Sequence, residues 1–459
     1  MFVSRNVLIG ALIALLAGIL TLELRVMLIA HMILLALCVL DVIAAPSPKR
    51  LQITRTGPQS GKLGSPLVHQ LQLSANTDRK IQGQIRDCWP PSVGLQEDTF
   101  TFAISKGMQT DFHEEFLPSR RGTRNAQALV IRTLGPLHLA GRQRAFQSTA
   151  SIQVLPAFSA RKHLPSRIMR LREMEGRALL LIRGQGTEFD SLREYVAGDD
   201  VRAIDWRSSA RLAQTLVRTW RPERDRRVVI ILDSGRAGAM RVGHFPAFDD
   251  YIETSLLLTA LAQKAGDTVD VYALDTQVRA RVRANTERLA IHKLATALAD
   301  VSPSLTVTDW QLASEEIRQN ANNAALVVIL TDTGITSISD GLLHTIPHLA
   351  RKHRVIIAAA KNPDLVDFDQ PDIAQTPLSQ HLQHPLDHRK TPPSAAHDFS
   401  YRKDAVLYRA AARARTALER NAINQQLTLL GAEVLTASPA DLPVRVADAY
   451  IELKAQGRL

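Results

Sequence analysis

The chain is poor in cysteine, in aromatic residues and in nucleotide-binding motifs, and each shortage excludes a class of protein. Only Cys38 and Cys88 occur in 459 residues, and Cys38 lies in an apolar run, so no disulfide framework is predicted. Aromatic residues make up 5% of the chain, and no zinc-finger spacing is present, which argues against nucleic-acid binding. No GxxxxGK[ST] loop occurs, and Gly184-Gln185-Gly186 lacks a third glycine, so we expect no nucleotide and no cofactor.

Two apolar runs dominate the first 48 residues and predict a transmembrane helical hairpin. As helices, Val7–Leu22 and Val26–Ala45 would reach about 24 and 30 Å, against a hydrocarbon core of about 30 Å. A hairpin places Arg5 and Lys49 on one side, which by the positive-inside tendency is cytoplasmic, together with both termini. A cleaved signal peptide is the alternative, but it needs only one apolar region. Asp41, near the end of the second run, is expected to reach lipid headgroups.

The region 49–157 is predicted to form a β-sandwich of the immunoglobulin-like type. Short runs with period-two alternation are separated there by Gly, Pro and Asn. No clustering of titratable groups suggests chemistry, so the region is expected to act as a scaffold or spacer. The alternating runs are HQLQL (69–73), KIQGQI (80–85), TFTFAI (99–104) and SIQVL (151–155).

A basic connector and a charged segment occupy residues 158–227. Between Arg161 and Arg227 the chain has fifteen Arg and one Lys against ten acidic residues, which suits a location close to anionic lipid. Within it, Ile168, Leu171 and Met174 have helix-compatible spacing. The connector is therefore expected to lie as a helix either along the membrane or on the next domain.

Beyond residue 227, apolar strands alternate with helical patterns, which predicts a doubly wound α/β domain over 228–459. Such strands have both faces covered, and sites lie at their carboxyl ends. Thr308 and Gln311 form a predicted capping box. The stretch 362–400, with six Pro and four His, is predicted to be a flexible insertion. The strands are Val228–Asp233, Val269–Leu274, Ala325–Asp332, Val355–Ala359 and Glu433–Leu435, and the helices are Asp249–Lys264, Glu287–Ala299, Asp309–Asn320, Asp340–Lys352, Tyr401–Leu430 and Leu442–Lys454.

The charged segment, Gly184–Trp206, holds four Asp, two Glu and two Arg among apolar residues. The apolar residues predict that it folds down onto the protein as a brace, with Trp206 as an anchor. Its Asp residues could hold a metal for phosphodiester chemistry. Nearby arginines favour a bidentate ion-pair network instead. The acids are Asp199, Asp200 and Asp205, and the arginines are Arg193, Arg202, Arg207 and Arg211.

This pattern resembles the signature of family fifty-eight of the domains of unknown function. The likeness continues through LDSGR (232–236), TDW (308–310), VVILTD (327–332) and AYIELKAQGRL (449–459). Members look like bacterial membrane-anchored proteins that end in a von Willebrand factor A-like, Rossmann-like domain, and are similar to components that work beside MoxR-type AAA ATPases. The resemblance therefore implies an inner-membrane protein with such an ATPase among its protein partners. The residues that carry it are Gly186, Glu188, Phe189, Leu192, Arg193, Tyr195, Gly198, Asp199, Asp200, Arg202, Ile204, Asp205, Trp206, Ala210 and Arg211.

The resemblance also implies a degenerate metal site at the strand ends. In von Willebrand factor A domains an Asp followed by two hydroxyl residues at alternate positions holds a divalent ion, but here Asp233 is followed by Gly235 and Ala237. Mg²⁺ requires an octahedral shell of hard oxygens, so we expect no metal. Ser234 is expected to point away, and the aspartates to pair with Arg236 or to cap helices. The remnants of the site are Asp233, Ser234, Thr308 and Asp332.

Together these features predict a membrane-tethered, non-enzymatic adaptor that docks protein partners and has no catalytic residue. The alternative is a metal-dependent hydrolase that uses either the acidic segment or the crevice between Asp233 and Asp332. The net charge of +11 leaves a third hypothesis, in which the arginine-rich stretch binds lipid or nucleic acid.

Overall fold

The computed structural model describes residues 1–75, 80–105, 107–147, 150–181, 188–221, 226–284, 289–321, 325–334, 341–361, 411–412 and 414–457. They form two compact units, Met1–Ala157 and Phe158–Leu459. The finer division into segments 1–48, 49–157, 158–227 and 228–459 stays a prediction. The predicted insertion at 362–400 lies outside the described residues, and so does Gly186.

Two apolar helices, α1 (Arg5–Thr21) and α2 (Leu24–Ala44), open the first unit and pack against each other. The chain reverses at Leu22, whose φ is 51°. A Cβ added to Gly18 would lie 2.5 Å from the Cβ of Met27, so the contact requires a residue without a side chain. The helical stretch from the start of α2 to residue 50 is long and apolar enough to cross a membrane, whereas α1 has only 17 residues.

The rest of the first unit is β-rich. Its strands are β1 (Phe2–Val3), β2 (Leu51–Thr56), β3 (Ser60–Lys62), β4 (Leu67–Ala75), β5 (Ile81–Cys88), β6 (Thr99–Ile104), β7 (Gln109–Phe116), β8 (Gly122–Asn125), β9 (Ala128–Leu134), β10 (Ala140–Gln147) and β11 (Ser151–Leu155). They form sheets of order β1-β10-β9-β5-β6, β2-β4-β7 and β3-β11-β8. Alternate residues of β4, such as Leu71 and Leu73, are buried together with Ile81 and Ile131. Side chains from two sheets therefore share one core, as the alternation predicts.

Asp41 joins the end of α2 to the turn between β9 and β10. Its carboxylate is 1% exposed and accepts N–H bonds of 2.8 Å from Leu137, Leu139 and Ala140. A Cβ added to Gly135 would lie 2.2 Å from this carboxylate, so only glycine allows the close approach. The expectation that Asp41 reaches lipid headgroups is wrong, because the turn encloses the carboxylate and provides its hydrogen-bond donors.

The second unit begins with α3 (Leu164–Leu181), the helix predicted in the basic connector. Leu171 lies in the core of this unit and Ile168 packs against that core. Arg167 also donates to Asp448, at 3.2 and 3.3 Å. The connector therefore packs on the domain that follows it, which is the second of the two predicted alternatives.

The charged segment and the residues after it form a small folded unit of their own. Strand β12 (Glu188–Glu194) pairs antiparallel with β13 (Leu216–Arg221), and the helix α4 (Trp206–Leu212) lies between them in sequence. Leu216 and Val217 of β13 are buried. The segment is thus a hairpin with a helical connection.

A six-stranded mixed sheet forms the centre of the second unit. Its strands, with the short pair β15 and β16, are β14 (Arg227–Asp233), β15 (Arg241–Val242), β16 (Phe245–Pro246), β17 (Thr268–Leu274), β18 (Val278–Ala284), β19 (Ala325–Leu330), β20 (Arg354–Ala360) and β21 (Ala432–Ala437). The order is β18-β17-β14-β19-β20-β21, with only β18 antiparallel to its neighbour. If the six strands are renumbered 1 to 6 in chain order, their order across the sheet is 3-2-1-4-5-6. The strand order changes direction at β14, so the crevice expected at that point lies beside the carboxyl end of β14.

Helices cover both faces of this sheet, as its continuous apolar strands predict. They are α5 (Arg236–Ala239), α6 (Ala247–Lys264), α7 (Ala290–Ala299), α8 (Trp310–Asn320), α9 (Leu343–Ala350), α10 (residues 414–429) and α11 (Leu442–Ala455). Residues of α6, α7 and α11 share a core with Val228 and Ile230, whereas residues of α8, α9 and α10 pack with Val229 and Ile231. Alternate side chains of β14 thus point into two separate cores.

The predicted capping box at α8 is wrong. The N-cap is Asp309, whose Oδ1 accepts from the backbone N–H of Gln311 at 2.9 Å and of Leu312 at 3.1 Å. The hydroxyl of Thr308, one residue earlier, bonds to Asp233 instead. Asp and Thr are both common N-caps, so local sequence alone did not separate the two residues.

We expect Asp41→Ala to destabilise the first unit by roughly 2–4 kcal/mol, because three N–H groups lose an acceptor in a place closed to water. Asp41→Asn retains one side-chain oxygen and should cost less. Thermal unfolding in detergent measures both effects, and Glu97→Ala, an exposed acid in the same unit, is the control. Equal melting of Asp41→Ala and the control would show that the three hydrogen bonds contribute nothing.

Candidate functional site

Asp233 ends β14 at the strand-end crevice and is 1% exposed. Its carboxylate accepts hydrogen bonds from the hydroxyl of Thr308 at 2.5 Å, the hydroxyl of Thr331 at 2.6 Å and the backbone N–H of Gly235 at 2.8 Å. Burial raises the pKa of Asp233, and the nearby charge of Asp332 adds to this, although the three hydrogen bonds partly offset it. The carboxylate is therefore surrounded by donors from three segments of the chain.

Asp332 lies near Asp233 but is neutralised by a cation. Its Oδ1 accepts from Arg420 at 3.1 Å, and its Oδ2 accepts from the N–H of Gly334 at 3.0 Å. The side chain of Arg420 is only 17% exposed, so this pair is mostly screened from water. The sequence suggested Arg236 as the cation. It did not indicate Arg420, because nothing in the sequence places a residue of α10 over the end of β19.

The residues at this crevice do not fit a divalent ion. Gly235 and Ala237 provide no side-chain oxygen, and a Cβ added to Gly235 would lie 2.2 Å from the hydroxyl oxygen of Thr308. Both threonine hydroxyls donate to Asp233, and the guanidinium of Arg420 occupies Asp332. An octahedral shell of hard oxygens cannot be assembled from these groups. Across the described ranges, no group of three or more His, Cys, Asp or Glu is placed to hold a metal.

Ser234, the fourth predicted remnant, is fully buried. Its backbone N–H donates to Leu274 at 2.9 Å, and its carbonyl accepts from the N–H of Ser304 at 2.7 Å. Its hydroxyl has no hydrogen-bond partner within the described part of the chain. Ser234 therefore links two loops through its backbone, and its side chain makes no bond to Asp233.

Asp275 is a third strand-end carboxylate, which sequence analysis missed. It follows β17 and is fully buried. Its oxygens accept from Ser304 at 2.9 Å, from Arg279 at 2.8 Å and from the N–H of Gln277 at 3.1 Å. The signal was available, because Asp275 follows an apolar strand just as Asp332 does.

Within the charged segment, Asp199 and Arg193 form a two-pronged ion pair with N–O distances of 2.7 and 2.5 Å. Asp199 also accepts from the backbone N–H of Val196 at 2.9 Å. Gly198, with φ of 111°, provides the backbone conformation that this tight loop needs. The ion pair thus closes the loop after β12.

The other two acids of the segment cap helical turns. Asp205 is the N-cap of α4, accepts from the N–H of Ser208 at 3.0 Å and pairs with Arg218 at 2.9 Å. The bonds from Ser208 and then Arg218 lower the pKa of Asp205. Asp200 accepts from the N–H of Arg202 at 2.9 Å. All three acids are thus engaged locally and do not converge on a metal, and the partner of Asp205 is Arg218, which the sequence did not single out.

The prediction that Trp206 anchors the segment is wrong. Trp206 is 67% exposed, and Leu212, Val196 and Val201 are exposed to a similar extent. Ser209 of α4 instead turns inward, since its hydroxyl bonds to the backbone of residues 205 and 216. Tyr195, Arg202 and Arg211 are exposed as well, whereas Leu192 and Ile204 are half-buried. The side chains of Glu188 and Phe189 fall outside the described residues.

The first unit holds a buried charge cluster, contrary to the sequence-based expectation for this region. Arg55 pairs with Asp87, which also accepts from the indole N–H of Trp89 at 2.6 Å. The Nε of Arg55 lies 3.7 Å from Glu114, whose side chain is fully buried. Burial, and then the neighbouring Asp87, raise the pKa of Glu114 to about 8. The residues come from three strands or their ends, so their convergence depends on strand register, which the sequence does not reveal.

A cavity of about 600 Å³ opens beside this cluster. Arg55 and His69 line it together with apolar residues such as Ile53 and Phe146. The pKa of His69 is lowered, mainly by burial, and its Nε2 lies 3.0 Å from the carbonyl of Pro58. Arg55 and His69 of the cavity wall thus already contact other groups of the protein.

The raised pKa of Glu114 predicts that stability falls as the pH rises from about 4.5 to about 8. Its stabilising contribution is fully present below the ordinary value of 4.5 and is lost as pH rises through about 8. Compared with Glu114→Gln, the wild type should lose stability by up to about 1.4 kcal/mol per pH unit across this window. Melting temperatures between about pH 5 and 9 test this, with the exposed Glu115→Gln as the control; parallel curves for wild type and Glu114→Gln would contradict it.

Titration with Mg²⁺ or Mn²⁺ in a calorimeter is expected to give no saturable heat, because hydroxyls and a guanidinium already occupy the carboxylates of the crevice. Gly235→Ser places a hydroxyl residue at the position where von Willebrand factor A domains have one. Because its Cβ would lie too close to Thr308, we expect this variant to have a lower melting temperature and to bind no metal. A stoichiometric isotherm that Asp233→Asn abolishes would contradict this expectation.

The chain is similar to proteins of unknown activity. Uncharacterized proteins of Mycobacterium tuberculosis and Mycobacterium bovis are 24% identical over 207 residues, which is 45% of this chain and 64% of each relative. The match thus spans less than two thirds of the relatives' own length.

Solved structures show only weak likeness. Native alpha-2-macroglobulin from Escherichia coli, from domain MG7 to the C-terminus, matches with 14% identity over 25% of this chain and 17% of that chain, at a TM-score of 0.20. A complex of zinc 2-glycoprotein and prolactin inducible protein from human seminal plasma matches with 16% identity over 24% of this chain and 99% of that chain, at a TM-score of 0.19.

The family comparison agrees with the motif pattern of the charged segment and the first strands of the sheet. Residues 191–375 match the family described as "Protein of unknown function DUF58", and this stretch of the chain belongs to that family.

Proposed function

We propose that the protein is a membrane-tethered, non-enzymatic adaptor that docks protein partners through its second unit, with a MoxR-type AAA ATPase among these partners. The sheet order 3-2-1-4-5-6 with an antiparallel edge strand supports a von Willebrand factor A-like, Rossmann-like domain. The absence of hydroxyls at Gly235 and Ala237 supports a degenerate version of its metal site. The β-rich region acts as an immunoglobulin-like scaffold.

The exposed apolar surface of the charged segment carries this proposal. Trp206 and Leu212 are 67% and 65% exposed on α4, and Val201 is 58% exposed. Trp is among the residues most enriched in binding hot spots, so an exposed Trp on a folded domain indicates an interaction site. Internal ion pairs hold this surface in shape, so little ordering is needed on binding.

The charge around this surface defines the partner. Arg202, Arg207 and Arg211 are exposed near it, whereas Asp199 is paired with Arg193 and Asp205 with Arg218. The surface therefore combines exposed apolar side chains with exposed cations, which suits an acidic partner that offers an apolar pocket.

Membrane attachment rests on the exposed side chains of the N-terminal helices. Leu12, Leu20, Leu28 and Leu35 are each more than half exposed, which is favourable in lipid and unfavourable in water. We propose two spans in the inner membrane with the second unit in the cytoplasm, since Arg5, Lys49 and Arg50 lie at the open end of the hairpin, whereas its turn carries Arg25 beside Glu23.

The competing hypothesis is a metal-dependent hydrolase. It requires a free carboxylate cluster, but Asp199, Asp200 and Asp205 bind arginines and backbone N–H groups. The crevice carboxylates are likewise occupied. The metal titration described above separates the two hypotheses.

The double variant Trp206→Ala/Leu212→Ala should weaken binding to the purified MoxR-type ATPase at least about tenfold, or about 1.4 kcal/mol. Because both residues are exposed, the melting temperature should not change. Leu429→Ala, which removes a side chain 87% exposed in the same unit, is the matched control. Biolayer interferometry measures the affinities; equal affinity of the two variants, or a clear fall in melting temperature of the double variant, would contradict the docking role.

A further inference from the structure

The turn between β9 and β10 is fixed to both N-terminal helices. The carbonyl of His138 accepts from the side chains of Ser4 at 2.6 Å and Asn6 at 3.1 Å, and the N–H of Ser4 donates to Leu139 at 2.8 Å. On the other side, Asp41 of α2 binds three N–H groups of the same turn. These contacts hold His138 at a φ of 56°, which a non-glycine residue adopts only when its surroundings compensate.

These contacts define the depth of the turn if α2 spans a membrane, as proposed above. The 21 residues of α2 are about 32 Å long, which matches a hydrocarbon core of about 30 Å. Asp41 lies three residues before the end of the helix, or about 4.5 Å inside that boundary. The turn bound to it is therefore level with the lipid interface.

Mutual hydrogen bonding explains how both partners can lie at this depth. An unpaired carboxylate or irregular backbone is strongly disfavoured where water is scarce. The three N–H groups satisfy Asp41, and Asp41 satisfies the N–H groups. Arg142 similarly donates to the carbonyls of Val42 and Ile43 at 3.1 and 3.0 Å, which satisfies the exposed end of α2.

The surface at this level is apolar at its tip and cationic around it. Leu137 is 49% exposed, and Pro136 beside it is also exposed. Arg5 and Lys49, at the adjacent ends of the two helices, are exposed as well. The acid of this end, Asp41, is buried among N–H groups, so the exposed charge is positive.

We propose that this end of the first unit is a phospholipid-binding surface. Leu137 inserts at the boundary of the acyl chains, while Arg5, Lys49 and Arg142 contact anionic phospholipid headgroups. Each cation close to an anionic surface contributes favourably, and a leucine at the tip of the turn gains from leaving water. The β-rich region therefore lies directly on the bilayer, without a gap. This inference rests on the proposed membrane anchoring.

Site-directed spin labelling of the full chain tests the depth of the turn. In a Cys38→Ala/Cys88→Ala background, labels are placed at Leu137→Cys, at Ile33→Cys in the middle of α2 and at Val68→Cys. Val68 is 50% exposed and lies at the opposite end of the strands, where β4 begins, so it matches Leu137 in exposure. The protein is reconstituted into phosphatidylcholine vesicles containing phosphatidylglycerol, and collisions with oxygen and with an aqueous nickel complex are measured.

We expect the ratio of oxygen to nickel collisions to be highest at residue 33 and several-fold higher at residue 137 than at residue 68. Equal ratios at 137 and 68, with a high ratio at 33, would overturn the lipid contact while leaving the anchoring intact. A low ratio at 33 as well would overturn both.

The headgroup contact has a separate test. Arg5→Gln/Lys49→Gln removes two of the cations but leaves Arg142 on the end of α2, and Lys62→Gln/Arg120→Gln is the control at the far end. We expect phosphatidylglycerol to increase the collision ratio at residue 137 in the wild type and in the control, but not in Arg5→Gln/Lys49→Gln. An equal response in both double variants would overturn the role of these cations.

Discussion

The buried carboxylate of Asp233 is the constraint around which the end of the central sheet is arranged. A carboxylate removed from water is costly unless donors surround it, and here the donors come from the loop before α8, from the end of β19 and from the turn after β14. Those loops must stay in place for Asp233 to stay satisfied. The hydroxyls that could serve a cation therefore hold the loops together, and Arg420 occupies the neighbouring carboxylate. The carboxylates of the crevice are thus engaged by polar contacts within the protein.

Carboxylates of the charged segment are likewise bound by nearby donors, but at the surface of the protein. Asp199, Asp200 and Asp205 bind nearby arginines or the backbone N–H groups of nearby turns, so these three acids are satisfied locally. The apolar side chains are left outside, with Trp206 the largest of them. Such a surface has a fixed shape before any partner arrives, which lowers the entropic cost of binding. A rigid platform that carries a preformed apolar surface is the physical basis of the adaptor proposal.

The sequence predicted the elements better than their contacts. Period-two alternation located strands such as β4 and β6, and continuous apolar runs located β14 and β19, because burial of one or both faces leaves a direct pattern. The antiparallel edge strand β18 was not predicted, because arginines alternate along it and its pattern does not resemble that of a buried strand. At the site, Asp233 and Asp332 were predicted from their positions after strands. Arg420 and the cluster around Glu114 were not predicted, because their contacts depend on which strands and helices become neighbours. The orientation of Trp206 was mistaken because an apolar residue among charges fits an anchor and an exposed contact equally well.

Polar contacts between the hairpin and the β-rich region change the role of the first unit. A spacer needs only a flexible connection to its anchor, but here the two parts share an antiparallel pair of strands, β1 with β10, and the enclosed carboxylate of Asp41. Arg142 adds a cation at the carbonyl end of α2. Breaking any of these contacts exposes groups that only the other part satisfies, so the helices and the sheets are expected to move as one body. Under the proposed membrane anchoring, the strands of the first unit therefore take their orientation to the bilayer from α2.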